Sequence, residues 1–154
     1  MEDSIIRKNE PTTESVDLRE KLLNAEELLK TVPGSMIGDC FPLKHTFGDG
    51  LYVREIRVPK DSLVITKIHK VAHPYFVLSG EISVLTEKGA EVIKAPYYGI
   101  TPAGTKRACY CHTDTVWVTV HRTNETDLDK IEKEIIAENF DETLPDHIKN
   151  AVTI

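Results

Sequence analysis

The residues of this chain whose types and spacing can do chemistry are three histidines, His69, His73 and His121, and two cations, Lys67 and Arg107. Imidazole is a ligand for zinc, iron, nickel and copper, and three imidazoles leave a coordination position open. Protonated ammonium and guanidinium groups cannot ligate a metal; they hold anions, and guanidinium does so bidentately. Side chains alternate across a strand, so Lys67 and His69 share a face. A turn around Thr113 between the last two strands sets Arg107 opposite Thr119 and Thr105 opposite His121. His121 is then a diagonal neighbour of Arg107, about 7–8 Å away by Cα, and has the same inward parity as Trp117 and Thr119.

Two cations in a barrel mouth cost desolvation energy unless something anionic pairs with them. Glu81 and Glu55 are candidate partners within the chain. A carboxylate, phosphate or sugar acid is the candidate small anionic ligand, and rim snorkelling of both side chains is the alternative. Tyr75 and Trp117 are candidate pocket walls, Trp117 because its parity is inward. His112 falls in a turn, and His45 and His147 carry no positional argument. Cys109 and Cys111 share a strand face as small apolar fillers. His73 and His121, assisted by Tyr75 or Tyr110, have the chemistry of an acid–base pair. There is no nucleophile elbow, phosphate loop or HExxH pattern, so catalytic residues stay unassigned.

The elements that must position these groups are mostly strands. Residues 1–16 read as a flexible tail. Asp17 and Glu20 read as a capping box opening a helix whose apolar stripe is Leu18, Leu22, Ala25, Leu29 and Val32, stopped by Pro33-Gly34. From Cys40 to Arg122 the apolar period falls to two. Turn signals recur at about 8–12 residues, the spacing of a sandwich or barrel. The runs are Leu51–Val58, Leu63–His69, Tyr75–Leu78, Ile82–Thr86, Glu91–Ala95, Lys106–Cys111 and Thr115–His121, which suits a jelly roll of about seven or eight strands. Asp127 then caps a second helix with the stripe Leu128, Ile131, Ile135 and Ile136. Residues 17–126 are expected to form a helix plus barrel, and 127–154 a helical extension of the same domain.

The net charge of −6, with scattered basic residues, argues against a nucleic-acid module. No apolar run reaches the ~18–20 residues that span a bilayer, and Met1 to Glu14 lacks the apolar core of a signal peptide. Three cysteines without a CxxC spacing point to a reducing compartment rather than a disulfide framework. The expected location is the cytoplasm.

The stretch from Pro59 to His121 resembles a cupin. The family's first motif is HxH, three or four residues, Glu, six residues, Gly; its second is PxG, two residues, His, three residues, Asn. With Gly80 as the glycine of the first, His73 stands at the Glu position, His69 at the second histidine and Lys67 at the first. With Pro102-Ala103-Gly104 opening the second, Arg107 stands at the histidine and Cys111 at the Asn. The resemblance implies an all-β jelly-roll barrel with flanking helices, and brings His73 inward. His121 then replaces the histidine missing at position 107. His69, His73 and His121 become the candidate ligands of a divalent transition metal: zinc, iron, nickel, copper or manganese.

The wording HKVAH…LSG…PAGTKR…DTVWVTVH is similar, more narrowly, to small single-domain cupins encoded by tailed bacteriophages. That likeness implies a viral origin, with a place in the host cytoplasm or the virion. The leading expectation is a cupin that binds a metal ion, a small anion or both in the barrel mouth, its enzymatic status open. The alternative is a virion structural or decoration protein using the barrel as an oligomerising scaffold, with other virion proteins as partners. A third is a host-interference protein that captures a signal molecule. Barrels of this type often pair sheet to sheet, so a homodimer or higher homo-oligomer is expected.

Overall fold

The protein is described by a computed structural model that covers residues 13–140. Most of the expected tail, the end of the C-terminal extension and His147 lie outside these residues.

Helix α1 runs from Thr13 to Thr31, so it starts four residues before the expected cap at Asp17. Glu14 supplies negative charge in the first turn, where the helix dipole favours it. Asp17, now inside the helix, pairs with Lys21 at 2.6 Å instead of capping. Leu22 is the buried centre of the stripe, at 1% exposure, whereas Val32 is exposed. The helix lies outside the barrel, tied to it by an Arg19–Glu87 ion pair and by Lys106 Nζ, which donates to Glu26 (3.0 Å) and to the Thr66 carbonyl (3.1 Å).

Among the described residues eleven strands follow: β1 (Leu43–Gly48), β2 (Leu51–Val58), β3 (Leu63–Ile65), β4 (Ile68–His69), β5 (His73–Ser79), β6 (Glu81–Thr86), β7 (Gly89–Lys94), β8 (Tyr97–Thr101), β9 (Ala108–Cys111), β10 (Thr115–Arg122) and β11 (Ile136–Ala137). Helix α2 (Leu128–Ile135) separates the last two. One antiparallel sheet has the order β1-β2-β10-β5-β8, and the second β3-β9-β6-β7. Their inner faces enclose a core that includes Val58, Val77, Ile82, Val84 and Ile93. Cys109 and Cys111 fill part of it, paired to Val84 and Ile82. Burial pushes the Cys109 thiol up to about 12, which removes any thiolate chemistry at neutral pH.

Three expectations need correction. The run expected as Leu63–His69 is two strands, broken at Thr66–Lys67, where Thr66 turns its polar groups to the 106–107 segment. Ile136 does not continue α2; it starts β11 and pairs with His69. The β9–β10 hairpin does not exist, because β9 pairs with β3 and β6 while β10 pairs with β2 and β5. The His112–Asp114 turn instead carries the chain from one sheet to the other. Asp127 caps α2 as expected, its carboxylate accepting from the Lys130 N–H at 3.1 Å.

The two glycine motifs do separate jobs. Gly80 turns β5 into β6 at φ +102°, and an added Cβ there would lie 2.7 Å from the Asp114 carbonyl oxygen. Gly104, also at positive φ, donates its N–H to the His69 carbonyl at 2.8 Å. The Pro102–Gly104 loop is thereby fastened to the strand that bears His69. Gly80→Ala is expected to destabilise the protein by about 2–4 kcal/mol, from left-handed strain plus backbone overlap. Urea unfolding checks this; a midpoint equal to that of the wild type contradicts it.

Candidate metal centre

Three short segments bring the histidines together at one end of the barrel. His69 ends β4 and is held from two sides: β11 pairs with it, and Gly104 binds its carbonyl. Lys70 N–H donates to the Ile135 carbonyl (2.8 Å), so the end of α2 also fixes this segment. His73 opens β5, opposite Thr101 of β8. His121 lies near the end of β10, opposite Tyr52 of β2. The β10–β5 register sets Thr119 opposite Tyr75; in an antiparallel pair, two residues further along each strand brings His121 level with His73. His121 therefore reaches the group through β5, not through a hairpin with β9.

The ring centroids of His69 and His73 are 4.3 Å apart, those of His73 and His121 4.5 Å, and those of His69 and His121 5.4 Å. Each ring offers one nitrogen, and the three nitrogens lie within 4.8 Å of one another. His73 and His121 are each only 4% exposed. His69 is partly buried as a residue, yet its Nδ1 is shut from solvent and has no hydrogen-bond partner, the one such side-chain atom among the described residues. His73 Nδ1 lies 3.1 Å from the Val71 carbonyl and donates to it, which leaves Nε2 with a free lone pair. His121 Nε2 meets Thr119 Oγ1 at 3.0 Å.

The electrostatics hold all three rings neutral. Burial, then the proximity of His73 and His121, pushes His69 down to about 2. Burial and the neighbouring His73 push His121 down to about 4, and burial lowers His73 as well. Neutral imidazole is the form that binds metal.

The donor set fits a transition ion. It is all nitrogen, with no thiolate and no hard carboxylate cage, which suits zinc, iron, nickel or copper better than magnesium or calcium. The orphaned His69 nitrogen has nothing else to bond. His69, His73 and His121 are the residues that would hold such an ion, one nitrogen from each.

The other candidate residues divide. Lys67 stands at the rim, paired with Glu132 of α2, and so does not point at Arg107. Glu55 pairs with Arg57 and Glu81 faces Lys94, so neither serves Lys67 or Arg107. Arg107 is inside, at 8% exposure. Its Nη2 donates to Thr101 Oγ1 at 2.9 Å, and its guanidinium lies 5.1 Å from the Tyr75 ring centroid and 5.7 Å from that of Trp117. Tyr75 and Trp117 stack at 4.6 Å, 7° from parallel. His112 is at the surface against Ser83, and His45 bonds Tyr52. The rings of Tyr52 and His121 stack in turn, at 5.8 Å. Sequence reasoning gives Thr119 an inward parity and does not single out Thr101, Tyr52 or Glu132. Small polar residues and a distant glutamate carry no local pattern, and only the pairing of strands and α2 brings them in.

Histidines and Arg107 line one cavity of about 1060 Å³ between the sheets. The 32–41 segment and α2 also contribute to its lining.

Among solved structures the chain is similar to ectoine synthase from P. lautus, with a TM-score of 0.51 and 11% identity over 69% of this chain and 83% of that one. It is also similar to KdgF from Halomonas sp., with a TM-score of 0.49 and 10% identity over 62% and 89%. An RmlC-like cupin from Methanocaldococcus jannaschii with a double-stranded β-helix fold matches at 0.46 and 11% over 56% and 83%. The chain thus shares the fold of the ectoine synthase, a jelly roll of two antiparallel sheets with flanking helices. No protein-family model and no curated protein matches the sequence. No helix among the described residues is long and apolar enough to cross a membrane.

The suppressed basicity has a measurable consequence. Folded His69 and His121 stay neutral at pH values where the unfolded chain takes up protons, near the ordinary 6.5. Protons therefore bind preferentially to the unfolded state below 6.5, and metal-free protein loses stability as pH falls from 6.5 towards 4. Urea midpoints at pH 7 and 4.5 check this. The wild type is expected to lose more stability over that interval than a His69→Gln, His121→Gln variant; equal losses count against neutral burial of the two rings.

Proposed function

We propose that this protein binds a divalent transition metal at His69, His73 and His121, and that the cavity above the metal takes a small ligand. The observation that carries this reading is the shielded, partnerless His69 Nδ1 beside two other neutral imidazoles. A metal bound there supplies Lewis acidity. The chain's own residues hold it: Gly104 and β11 fix the His69 backbone, and the Val71 carbonyl sets the tautomer of His73. Zinc, iron and nickel suit the donor set, with copper next and manganese last, since manganese prefers oxygen.

Metal analysis of protein purified without chelator is expected to find about one transition ion per chain. A His69→Ala, His73→Ala double variant is expected to lose it while keeping its strand content by circular dichroism. A wild-type chain that carries no metal and takes up none of added zinc, iron or nickel contradicts the proposal.

A second reading, self-association, has its own support. The outer face of the β5–β8 pair exposes Phe76, Leu78, Tyr98 and Ile100, with Phe76 opposite Tyr98 in register, beside the free edge of β8. An apolar face next to an open strand edge favours pairing with a second copy. We infer a homodimer through this face. Sedimentation is expected to give a dimer for the wild type and a monomer for Tyr98→Glu, Ile100→Glu; a monomeric wild type rejects the dimer. Bacteriophage origin and a virion or host-cytoplasm location belong to the proposal on the sequence wording alone. Detection in purified particles tests the virion role, and strict absence from them rejects it.

A further inference from the structure

We infer that the ligand of this cavity is a small carboxylate with a flat apolar body, its carboxylate held by Arg107. The inference rests on the reading of this cavity as a ligand site, but its observations are separate from those for the metal.

Four basic side chains line the cavity: Lys30, Arg54, Lys67 and Arg107. Lys30 pairs with Glu27, Arg54 with Asp39 and Lys67 with Glu132. Arg107 alone has no carboxylate at ion-pair distance among the described residues, Glu91 of β7 attracting it only from further away, and it is the most buried of the four. A buried guanidinium whose partners are the Thr101 and Tyr75 hydroxyls and two ring faces has no charged acceptor for its five N–H donors. Such a cation is costly in a closed fold unless an anion arrives to meet it. Of the acids that line the cavity, Glu26, Asp39 and Glu132 are committed to Lys106, Arg54 and Lys67, and Asp129 is exposed on α2.

The position of Arg107 ties it to the histidines. Its hydroxyl partner, Thr101, is the strand neighbour of His73. An anion on Arg107 therefore sits one strand away from the histidine group. The fork of the guanidinium matches the two oxygens of a carboxylate. Beside it, Trp117 backed by Tyr75 makes a flat wall, and Val58, Ile82 and Val64 continue the lining as apolar surface. A highly hydrated polyanion has only one free cation here and an apolar floor; a planar monocarboxylate has a partner for each part.

Benzoate is the probe, with benzamide as its uncharged isostere. Titration calorimetry on chelator-treated protein separates Arg107 from the metal, and metal uptake measured without benzoate tests the histidines alone. Wild-type protein is expected to bind benzoate but not benzamide. Arg107→Met is expected to weaken benzoate about tenfold or more while taking up metal like the wild type, and Arg107→Lys to lose less. Absence of benzoate binding, equal binding of benzamide, or unchanged benzoate affinity in folded Arg107→Met each overturns the inference. If Arg107→Met does not fold, the benzamide comparison and Arg107→Lys decide: a Lys variant that binds both probes alike overturns it too. Loss of metal binding with retained benzoate binding sinks the metal proposal and leaves this one standing.

Discussion

A buried imidazole nitrogen with nothing to bond costs about 1–3 kcal/mol, and the whole end of this barrel is arranged around one. His69 Nδ1 is sealed from water without a partner. Its strand is only two residues long, yet it is pinned by β11, by the Lys70 bond to α2 and by the Gly104 N–H. Three separate contacts therefore hold in place a group that solvent would otherwise stabilise. Such an arrangement makes sense when the missing partner is an ion, because a preformed set of neutral nitrogens spends little on reorganisation when the ion arrives.

The flanking elements gain a role from this constraint. α2 and β11 do more than extend the barrel. They close the side of the site beside His69 and supply Glu132, which removes Lys67 from the interior. Arg107 is left as the interior cation outside any ion pair among the described residues, seated between Thr101 and the Tyr75–Trp117 stack. The site thus has two unsatisfied chemistries on one cavity: lone pairs seeking a cation and N–H donors seeking an anion. A ligand spanning both would join the metal to the wall of the pocket.

Much of this was legible in the sequence, and the failures have physical causes. β2 is legible at its true bounds because Gly48-Asp49-Gly50 and Pro59-Lys60-Asp61 flank it with turn residues on both sides. β1 and β8 are not among the runs that the sequence marks. β1 is mostly exposed along its length, and β8 carries exposed Tyr97, Tyr98 and Ile100, so neither shows a clean alternation of buried and solvated residues. The histidine group was anticipated, His69 and His73 from the cupin-like frame and His121 from strand parity. The hairpin used to place His121 was wrong, since β9 and β10 lie in different sheets. Parity survived that error because an inward residue on either sheet of a sandwich faces the same core. The pairing of Lys67 with Glu132 spans 65 positions, and no local pattern announces such a contact.

The central claim is tested most directly by anomalous X-ray scattering from crystals of the protein soaked in zinc, with data collected on both sides of the zinc absorption edge. The account predicts one strong anomalous peak among His69, His73 and His121, about 2.0–2.1 Å from a nitrogen of each. A His69 ring that turns to solvent, or a zinc peak elsewhere with this position clear, contradicts it.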